Sequence, residues 1–454
     1  MATDSAVPAG DLDIARKEYG PLVGNRWVQL VAGIVGMIVI SNYQYAFTLF
    51  TPGMKAQFAG EPYAKIAAVF SAFILFETWP APVAGYFVDR LGIRKLMSVG
   101  AAMIGLGWLL GGLFARSVLD LYLYYGVVAG TGAGVIYIAC VSNAVKWFPD
   151  RRGLAAGLTA AGFGGGAALT VMPIANTIGA FGWAKTMAGW GVGQGLIAMG
   201  AAMILRHPPA GWAPRGWAGA KPGAAKGIVQ SKTSFTWSQV LRRPEFYLLY
   251  AMFVFAMLGG MTITANLSQI ARTLNVSSIV FFGIGIVPLT VTLTSLCNAL
   301  ARILWGRVSD KLGRENTMAL VFSLQAVVVA LVTWLGSNPY AFVILFALVF
   351  LFWGSVFSLF AAITGDIFGA KNAAVNYGLL YTGKGVGSIL AGYGAALMAA
   401  LFAGSFTVPF HLSAILAMVA AMLAFFALKP LVRWRIAHEG APAVPVAEPA
   451  PRTA

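Results

Sequence analysis

The sequence predicts an all-α integral membrane protein with twelve transmembrane helices in two pseudo-symmetric six-helix halves. Of its 454 residues, 59% are hydrophobic and only 10% are charged, whereas soluble domains carry about 25% charged residues. Twelve apolar runs are each long enough to cross a bilayer, which takes about 20 residues. A short charged segment of the first half also recurs in the second half. These three observations define the predicted fold class.

The apolar runs form two sets of six that a polar stretch separates. In the first half, the predicted spans are 27–50, 63–88, 96–115, 120–145, 154–178 and 184–205. In the second half, they are 245–270, 278–306, 316–336, 339–365, 374–400 and 407–430. Several runs are longer than a bilayer requires, which indicates helices that tilt or project into the aqueous phase.

The spans divide the chain into five segments. These are a cytoplasmic N-terminal segment (1–26), an N-terminal six-helix half (27–205), a basic central loop (206–244), a C-terminal six-helix half (245–431) and a disordered cytoplasmic tail (432–454). The central loop contains seven basic residues and no acid, so the positive-inside rule predicts that it is cytoplasmic. Because six spans lie on either side of it, both termini are predicted to be cytoplasmic as well.

The recurring charged segment lies between the second and third spans of each half, at an offset of 221 residues. Its first copy contains Gly85, Asp89, Arg90 and Arg94, and its second contains Gly306, Asp310, Lys311 and Arg314. Short cytoplasmic turns would explain the basic residues but not the matched glycine and aspartate. Duplicated halves of this kind commonly hold a substrate between them near the midplane and rock around it.

Both copies resemble the signature of the major facilitator superfamily, G-x-x-x-D-R/K-x-G-R-K/R. The copy at 85–95 matches well, and the copy at 306–314 departs in its last position. The resemblance implies the major facilitator fold. It also implies that the eight residues named above form a conformational latch on the cytoplasmic side.

Two cations lie deep inside predicted spans. Arg302 precedes Asp310 by eight residues, or about 12 Å of helix, and Lys384 lies ten residues into its span, or about 15 Å. A charge at the bilayer centre costs about 2.5–3.5 kcal/mol on insertion scales, so such charges are usually functional. The equivalent first-half positions are Ala81 and Phe163, so duplication did not supply the cations. We predict that both face a central cavity and bind an anion; snorkelling or structural pairing is the alternative.

One acid, Glu77, also lies near mid-depth, in the second span. The architecture of the superfamily sets that span beside the eleventh, so Glu77 can pair with Lys384. The pair could be structural, or Glu77 could be a proton site. In either case the carboxylate cancels one positive charge, which weakens the case for a dianionic ligand.

Further segments in both halves share a second resemblance. They are 24–27, 43–45, 147–153, 352–354, 366–369 and 376–378, together with Arg302 and Lys384. They resemble the oxalate:formate antiporter family, in which a span-8 Arg and a span-11 Lys bind the dicarboxylate within aromatic walls. The resemblance implies a charge clamp of Arg302 and Lys384, polar contacts from Gln44 and Tyr45, and cage walls from Tyr137, Trp353 and Tyr381. Phe357 departs from it, because a hydroxyl is expected there.

The predicted function is secondary active transport of small carboxylates, by oxalate/formate-type exchange through alternating access. An Arg fork suits bidentate carboxylate binding, and two bare cations make an empty cavity costly to reorient. Proton-coupled symport of a monocarboxylate such as lactate, pyruvate or formate is one alternative. A non-transporting carboxylate sensor is another. The expected partners are the bilayer, the carboxylate, and a counter-anion or a proton.

An enzyme is not predicted. The three His residues are scattered, and the sequence indicates no catalytic residue, metal site or cofactor. The glycine-rich strings at 130–134 and 162–166 lack the preceding strand and the following Lys-Ser/Thr of a phosphate-binding loop. The net charge of +16 is dispersed between apolar runs, which does not indicate nucleic-acid binding. We expect a monomer in the plasma membrane, the inner membrane of a bacterium.

Overall fold

The computed structural model describes residues 11–209, 212–214, 231, 233–369 and 372–437. Within these residues, eleven helices are long and apolar enough to cross a membrane. They are Arg26–Tyr45, Tyr63–Ala84, Ile93–Leu113, Val118–Trp147, Leu154–Ile204, Pro244–Thr273, Ile286–Leu312, Arg314–Leu335, Pro339–Phe368, Val375–Leu401 and Thr407–Ile436. A further helix, Phe47–Gln57, continues the first of them.

The helix Leu154–Ile204 contains two crossings. Its 51 residues would span about 76 Å, more than twice the hydrocarbon thickness of a bilayer. At Gly182 the backbone leaves the helical region with φ 78° and ψ 164°, a conformation that glycine adopts without steric cost. The chain folds back after Gly182. A hydrogen bond of 3.1 Å from the Trp190 indole to Thr177 Oγ1 shows that the two segments lie side by side. The described residues therefore contain twelve crossings, which we number spans 1–12, with spans 5 and 6 at 154–181 and 183–204.

Three segments differ from the predicted boundaries. Span 8 begins at Ile286 rather than at 278, because Val280–Phe281 and Ile284–Gly285 pair as short antiparallel strands. The last helix continues to Ala437, so the first residues of the predicted disordered tail are helical. Residues 438–454 lie outside the described residues. The predicted N-terminal segment contains a helix, Asp11–Val23.

Three pairs of spans are among the contacts that join the two halves. Spans 1 and 7 meet where the Ser268 amide donates to Thr48 Oγ1 at 2.8 Å. Spans 2 and 11 meet where Ser71 Oγ donates to the Ser388 carbonyl at 2.7 Å. Spans 5 and 8 meet at Gly165, where an added Cβ would lie 2.9 Å from the Ala299 Cβ. The last two pairs are exchanged by the internal repeat, so the interface has the two-fold pseudo-symmetry that the sequence predicts, and small residues allow the close approach.

Candidate functional site

Lys384 lies at the centre of this interface and is fully buried. Its Nζ atom donates to Glu77 Oε1 and Oε2 at 2.9 and 2.8 Å. The same atom lies 2.8 Å from Gln44 Oε1 and 3.2 Å from the Tyr381 hydroxyl. Since an ammonium group has only three hydrogens, these four oxygens use its whole donor capacity. Glu77 and Gln44 reach it from spans 2 and 1, so the first half supplies the acceptors for a cation of the second half.

Arg302, on span 8, is buried with its side chain against span 5. Its Nη1 atom donates to the Ala160 carbonyl at 2.8 Å, and its Nε atom lies 3.5 Å from Asn298 Oδ1. Its Nη2 atom is buried and forms no well-aligned hydrogen bond within the part of the chain that the structure describes, although the guanidinium also interacts with the Tyr137 hydroxyl. A buried N–H group without an acceptor costs about 1–3 kcal/mol, and more when it is charged. The guanidinium therefore offers an open, charged donor at the interface of the halves.

Two phenylalanine rings enclose the cations. Each cation lies within 5.9 Å of the ring centroids of both Phe163 and Phe357. The shortest of these distances is 4.3 Å, from the guanidinium carbon of Arg302 to Phe357, which is typical of a cation–π contact. The rings come from spans 5 and 10, so each half supplies one. The two cations therefore belong to a single water-excluding site.

The sequence does not predict a role for either ring. Phe163 is the first-half counterpart of Lys384, and Phe357 departs from the residue expected in an oxalate site. The internal repeat is the signal that could identify Phe163, because the equivalent positions 163 and 384 face each other across the interface. The sequence does not predict Asn298 as a site residue either, although it is a polar residue one helical turn before Arg302.

The predicted tyrosines lie in the same cluster. The Tyr45 hydroxyl accepts a hydrogen bond of 2.8 Å from Asn298 Nδ2. The ring of Tyr137 stacks on Tyr381 at 5.5 Å and meets Phe163 edge-on at 5.4 Å. Together with Gln44, these residues lie beside the two cations, and the tyrosine hydroxyls can donate to an anion.

Trp353 lies one layer behind the site. It is fully buried, and its indole donates to the Met257 carbonyl at 3.1 Å. Its ring meets Phe357 edge-on at a centroid distance of 5.2 Å. Trp353 therefore supports the ring on which Arg302 rests.

Gly260 leaves room for Trp353, because a Cβ atom there would lie 2.3 Å from Trp353 Cδ2. We expect Gly260→Ala to displace the indole and to lower stability by about 1–3 kcal/mol, the usual cost of overpacking. Thermal unfolding of the purified protein, followed by tryptophan fluorescence, measures this change. Gly378→Ala is the matched control, since no atom lies within 4 Å of its added Cβ. Equal melting temperatures of the two variants would contradict the prediction.

The first predicted latch segment is described only in part. Gly85 lies within the helix Ala81–Leu91, and the side chain of Asp89 lies outside the described residues. Arg94 donates a hydrogen bond of 2.9 Å to Met203 Sδ on span 6. Arg90 lies in the last turn of the helix Ala81–Leu91, and its side chain is exposed.

The second latch segment forms ion pairs within its own half. Arg314 donates to Asp310 Oδ1 at 2.7 Å and to Asp366 Oδ2 at 3.0 Å. Asp366 lies at the C-terminal end of span 10. Arg314 therefore links the turn between spans 8 and 9 to the C-terminal end of span 10. Gly306 lies within span 8, and the side chain of Lys311 is exposed.

The site as a whole favours an anion. Arg302 and Lys384 contribute two positive charges and Glu77 one negative charge, all of them buried. Two donors of the site, Arg302 Nη2 and Gln44 Nε2, are buried without an acceptor among the described residues. A carboxylate supplies acceptor oxygens, and charge-assisted hydrogen bonds to it are about twice as strong as neutral ones.

Comparison with known proteins places the chain in a family. The sequence pattern of the Major Facilitator Superfamily matches residues 30–291 and 259–452. The chain is 34% identical over 416 residues to the oxalate:formate antiporter of Oxalobacter formigenes. This alignment covers 91% of this chain and 94% of the antiporter. Monocarboxylate transporter 14 of Mus musculus is 33% identical over 106 residues, 23% of this chain and 20% of that one.

The fold agrees with this relationship. The partially occluded inward-open structure of the xylose transporter XylE from E. coli superposes with a TM-score of 0.66, covering 88% of this chain and 98% of that one. At 10% identity, this similarity concerns the fold alone. The predicted fold class and the exclusion of an enzyme are confirmed, since the relatives are membrane transporters. The protein is a multi-pass membrane transporter that belongs to the Major Facilitator Superfamily, in the family of the oxalate:formate antiporter.

Proposed function

We propose that this protein exchanges small carboxylates across the plasma membrane, as an oxalate/formate-type antiporter that works by alternating access. The observation that carries the proposal is Arg302, a buried cation between the halves whose Nη2 donor forms no hydrogen bond among the described residues. The Oxalobacter formigenes relative supports the proposal. That protein is an oxalate:formate antiporter, and the similarity extends over nearly the whole length of both chains. An exchangeable anion is the simplest partner for a buried, charged donor that has no acceptor in the described part of the chain.

In this proposal, Arg302 and Lys384 form the charge clamp. A substrate carboxylate binds Arg302 first, since the hydrogens of Lys384 are already in use. Gln44 and Tyr45 contact the substrate from span 1, while Tyr137 and Tyr381 form walls and Trp353 supports Phe357. The aromatic surroundings exclude water, which strengthens the attraction between the carboxylate and both cations.

Alternating access requires the contacts between the halves to open on one side at a time. Thr48 and Ser268 join spans 1 and 7 at the ends remote from the central loop. The two latch segments lie at the opposite end, beside that loop. We infer that this end, the central loop and both termini are cytoplasmic, and that one chain suffices as a monomer, since its two halves build the complete site.

Proton-coupled symport of a monocarboxylate is the second candidate. One observation favours it: Glu77 already neutralises Lys384, so the empty site carries a single net positive charge rather than two. A smaller net charge lowers the cost of reorienting the empty carrier, and Glu77 offers a carboxylate that can accept a proton. The similarity to a monocarboxylate transporter over part of the chain agrees with this alternative.

A counterflow assay separates these mechanisms. The purified protein is reconstituted into vesicles that contain unlabelled formate or oxalate, and uptake of the labelled anion is measured, with protein-free vesicles as the control. We expect rapid uptake into loaded vesicles and little uptake into empty ones. Uptake into empty vesicles driven by an imposed proton gradient would instead establish symport. If no carboxylate enters under either condition, the proposed transport function is wrong.

A further inference from the structure

Glu77 is an internal carboxylate that pairs with one of the two cations of the site. Both of its oxygens contact Lys384 Nζ, at 2.8 and 2.9 Å, and both side chains are almost completely buried. With Gln44 Oε1 at 2.8 Å and the Tyr381 hydroxyl at 3.2 Å, the ammonium group has no hydrogen left for another ligand. Lys384 therefore has an internal carboxylate ligand in this structure.

The other cation is in the opposite situation. Arg302 donates to a backbone carbonyl and to Asn298, neither of which carries a charge, and its Nη2 atom has no acceptor among the described residues. Gln44 Nε2 is also buried without an acceptor. These two open donors suit one carboxylate group. When Glu77 is ionised, the site has a net charge of plus one, which a single negative charge balances.

We propose that Glu77 determines the charge class of the substrate by acting as a built-in second carboxylate, so that the site prefers monocarboxylates. This inference rests on the proposed carboxylate transport and concerns the same site. A monoanion binds Arg302 and leaves the Glu77–Lys384 pair intact. A dianion reaches Lys384 only by displacing Glu77 from it.

Displacement is costly because the other cation of the site, Arg302, would already be bound to the first carboxylate of the dianion. Span 2 packs tightly on span 4 at this level, since a Cβ added at Gly134 would lie 2.2 Å from the Glu77 carbonyl oxygen. The carboxylate would remain in a closely packed, water-excluding region without a counter-charge. An uncompensated buried charge is strongly unfavourable, so the pair opposes a second substrate charge.

Matched ligands test the proposal. Binding of propionate and malonate, which have the same number of carbons but one and two charges, is measured on the purified full-length protein by isothermal titration calorimetry. We expect the wild-type protein to bind propionate at least about tenfold more tightly than malonate, a ratio that corresponds to about 1.4 kcal/mol. In Glu77→Gln, Lys384 becomes available, and we expect the ratio to shift by about tenfold or more towards malonate.

Glu245→Gln is the matched control. Glu245 is also a buried carboxylate beside a cation, with its Oε1 atom 3.5 Å from Arg435 Nε, but it lies in the first turn of span 7. We expect this variant to keep the wild-type ratio.

Three outcomes would be decisive. Tighter binding of malonate by the wild-type protein overturns the inference even if Glu77→Gln fails to fold, and leaves carboxylate transport standing. An unchanged ratio in folded Glu77→Gln has the same consequence. Failure of the wild-type protein to bind either acid, or formate and oxalate, overturns the proposed function itself.

Discussion

Arg302→Ala is expected to abolish carboxylate transport while the protein remains folded. The substitution removes a charged donor of the site that forms no hydrogen bond among the described residues, whereas the hydrogens of Lys384, the other cation of the site, are already in use. Truncating a buried, hydrogen-bonded charge partner costs about 2–5 kcal/mol of binding, so affinity should fall by about 30-fold or more. Calorimetric titration with formate and oxalate measures the affinity, and counterflow in vesicles measures the transport rate.

Folding of Arg302→Ala is expected because the partners it leaves behind are uncharged. The Ala160 carbonyl and Asn298 lose a hydrogen bond each, and no buried carboxylate is left unpaired. Arg307→Ala is the matched control, since Arg307 lies on the same helix with an exposed side chain. It should bind and transport as the wild-type protein does. Transport by Arg302→Ala at a rate near that of the control would rule out a role for Arg302 in binding the substrate.

Lys384→Ala is expected to destabilise the protein, in contrast to Arg302→Ala. Without the ammonium group, Glu77 is buried with no counter-charge in contact. Breaking a buried ion pair by removing one partner costs about 3–5 kcal/mol. The melting temperature of the purified protein should therefore fall markedly. The matched control is Lys65→Ala, which breaks an exposed Lys–Glu pair with a similar contact distance of 2.7 Å to Glu61. Pairs of that kind contribute about 0–1 kcal/mol.

The double variant Lys384→Ala/Glu77→Gln should recover most of the lost stability, because it contains no unpaired charge at this position. A double-mutant cycle of the two substitutions then measures the coupling between the residues. We expect the coupling to exceed that of Lys65 and Glu61. If Lys384→Ala melts at the temperature of the wild-type protein, Glu77 is not the counter-ion of Lys384 in solution.

Much of the fold could be predicted from the sequence because a bilayer imposes local rules. Backbone groups in hydrocarbon must be paired within the segment, so an apolar run of sufficient length is a helix. The same rule misplaced the start of span 8. Residues 278–285 are apolar enough to extend the run, but Phe282 and Gly283 have φ values of 52° and 80° and turn the chain into a short hairpin. Composition does not distinguish these two structures over so few residues.

The charged residues of the site could be predicted from the sequence, but the phenylalanine rings that enclose them could not. Arg302, Lys384 and Glu77 are visible in the sequence because each interrupts an apolar run, and their depth follows from counting helix residues. Phe163 and Phe357 are apolar residues within apolar runs. The sequence around them therefore does not indicate that they contact the cations. Trp353 shows the converse, since its position deep in a span suggested a wall, but packing against Gly260 places it behind Phe357.

The amino-acid sequence alone is enough to predict a duplicated membrane transporter with two buried cations and one buried acid. Hydropathy, the repeat and the depth of a charge within a span all follow from the order of the residues along the chain. Which of the two cations keeps an open donor follows only from the fold. Lys384 is saturated by Gln44 and Glu77, which lie 340 and 307 residues away, whereas Arg302 retains an open donor. Whether a donor is already used depends on how helices from both halves pack together, and that arrangement is a property of the folded chain alone.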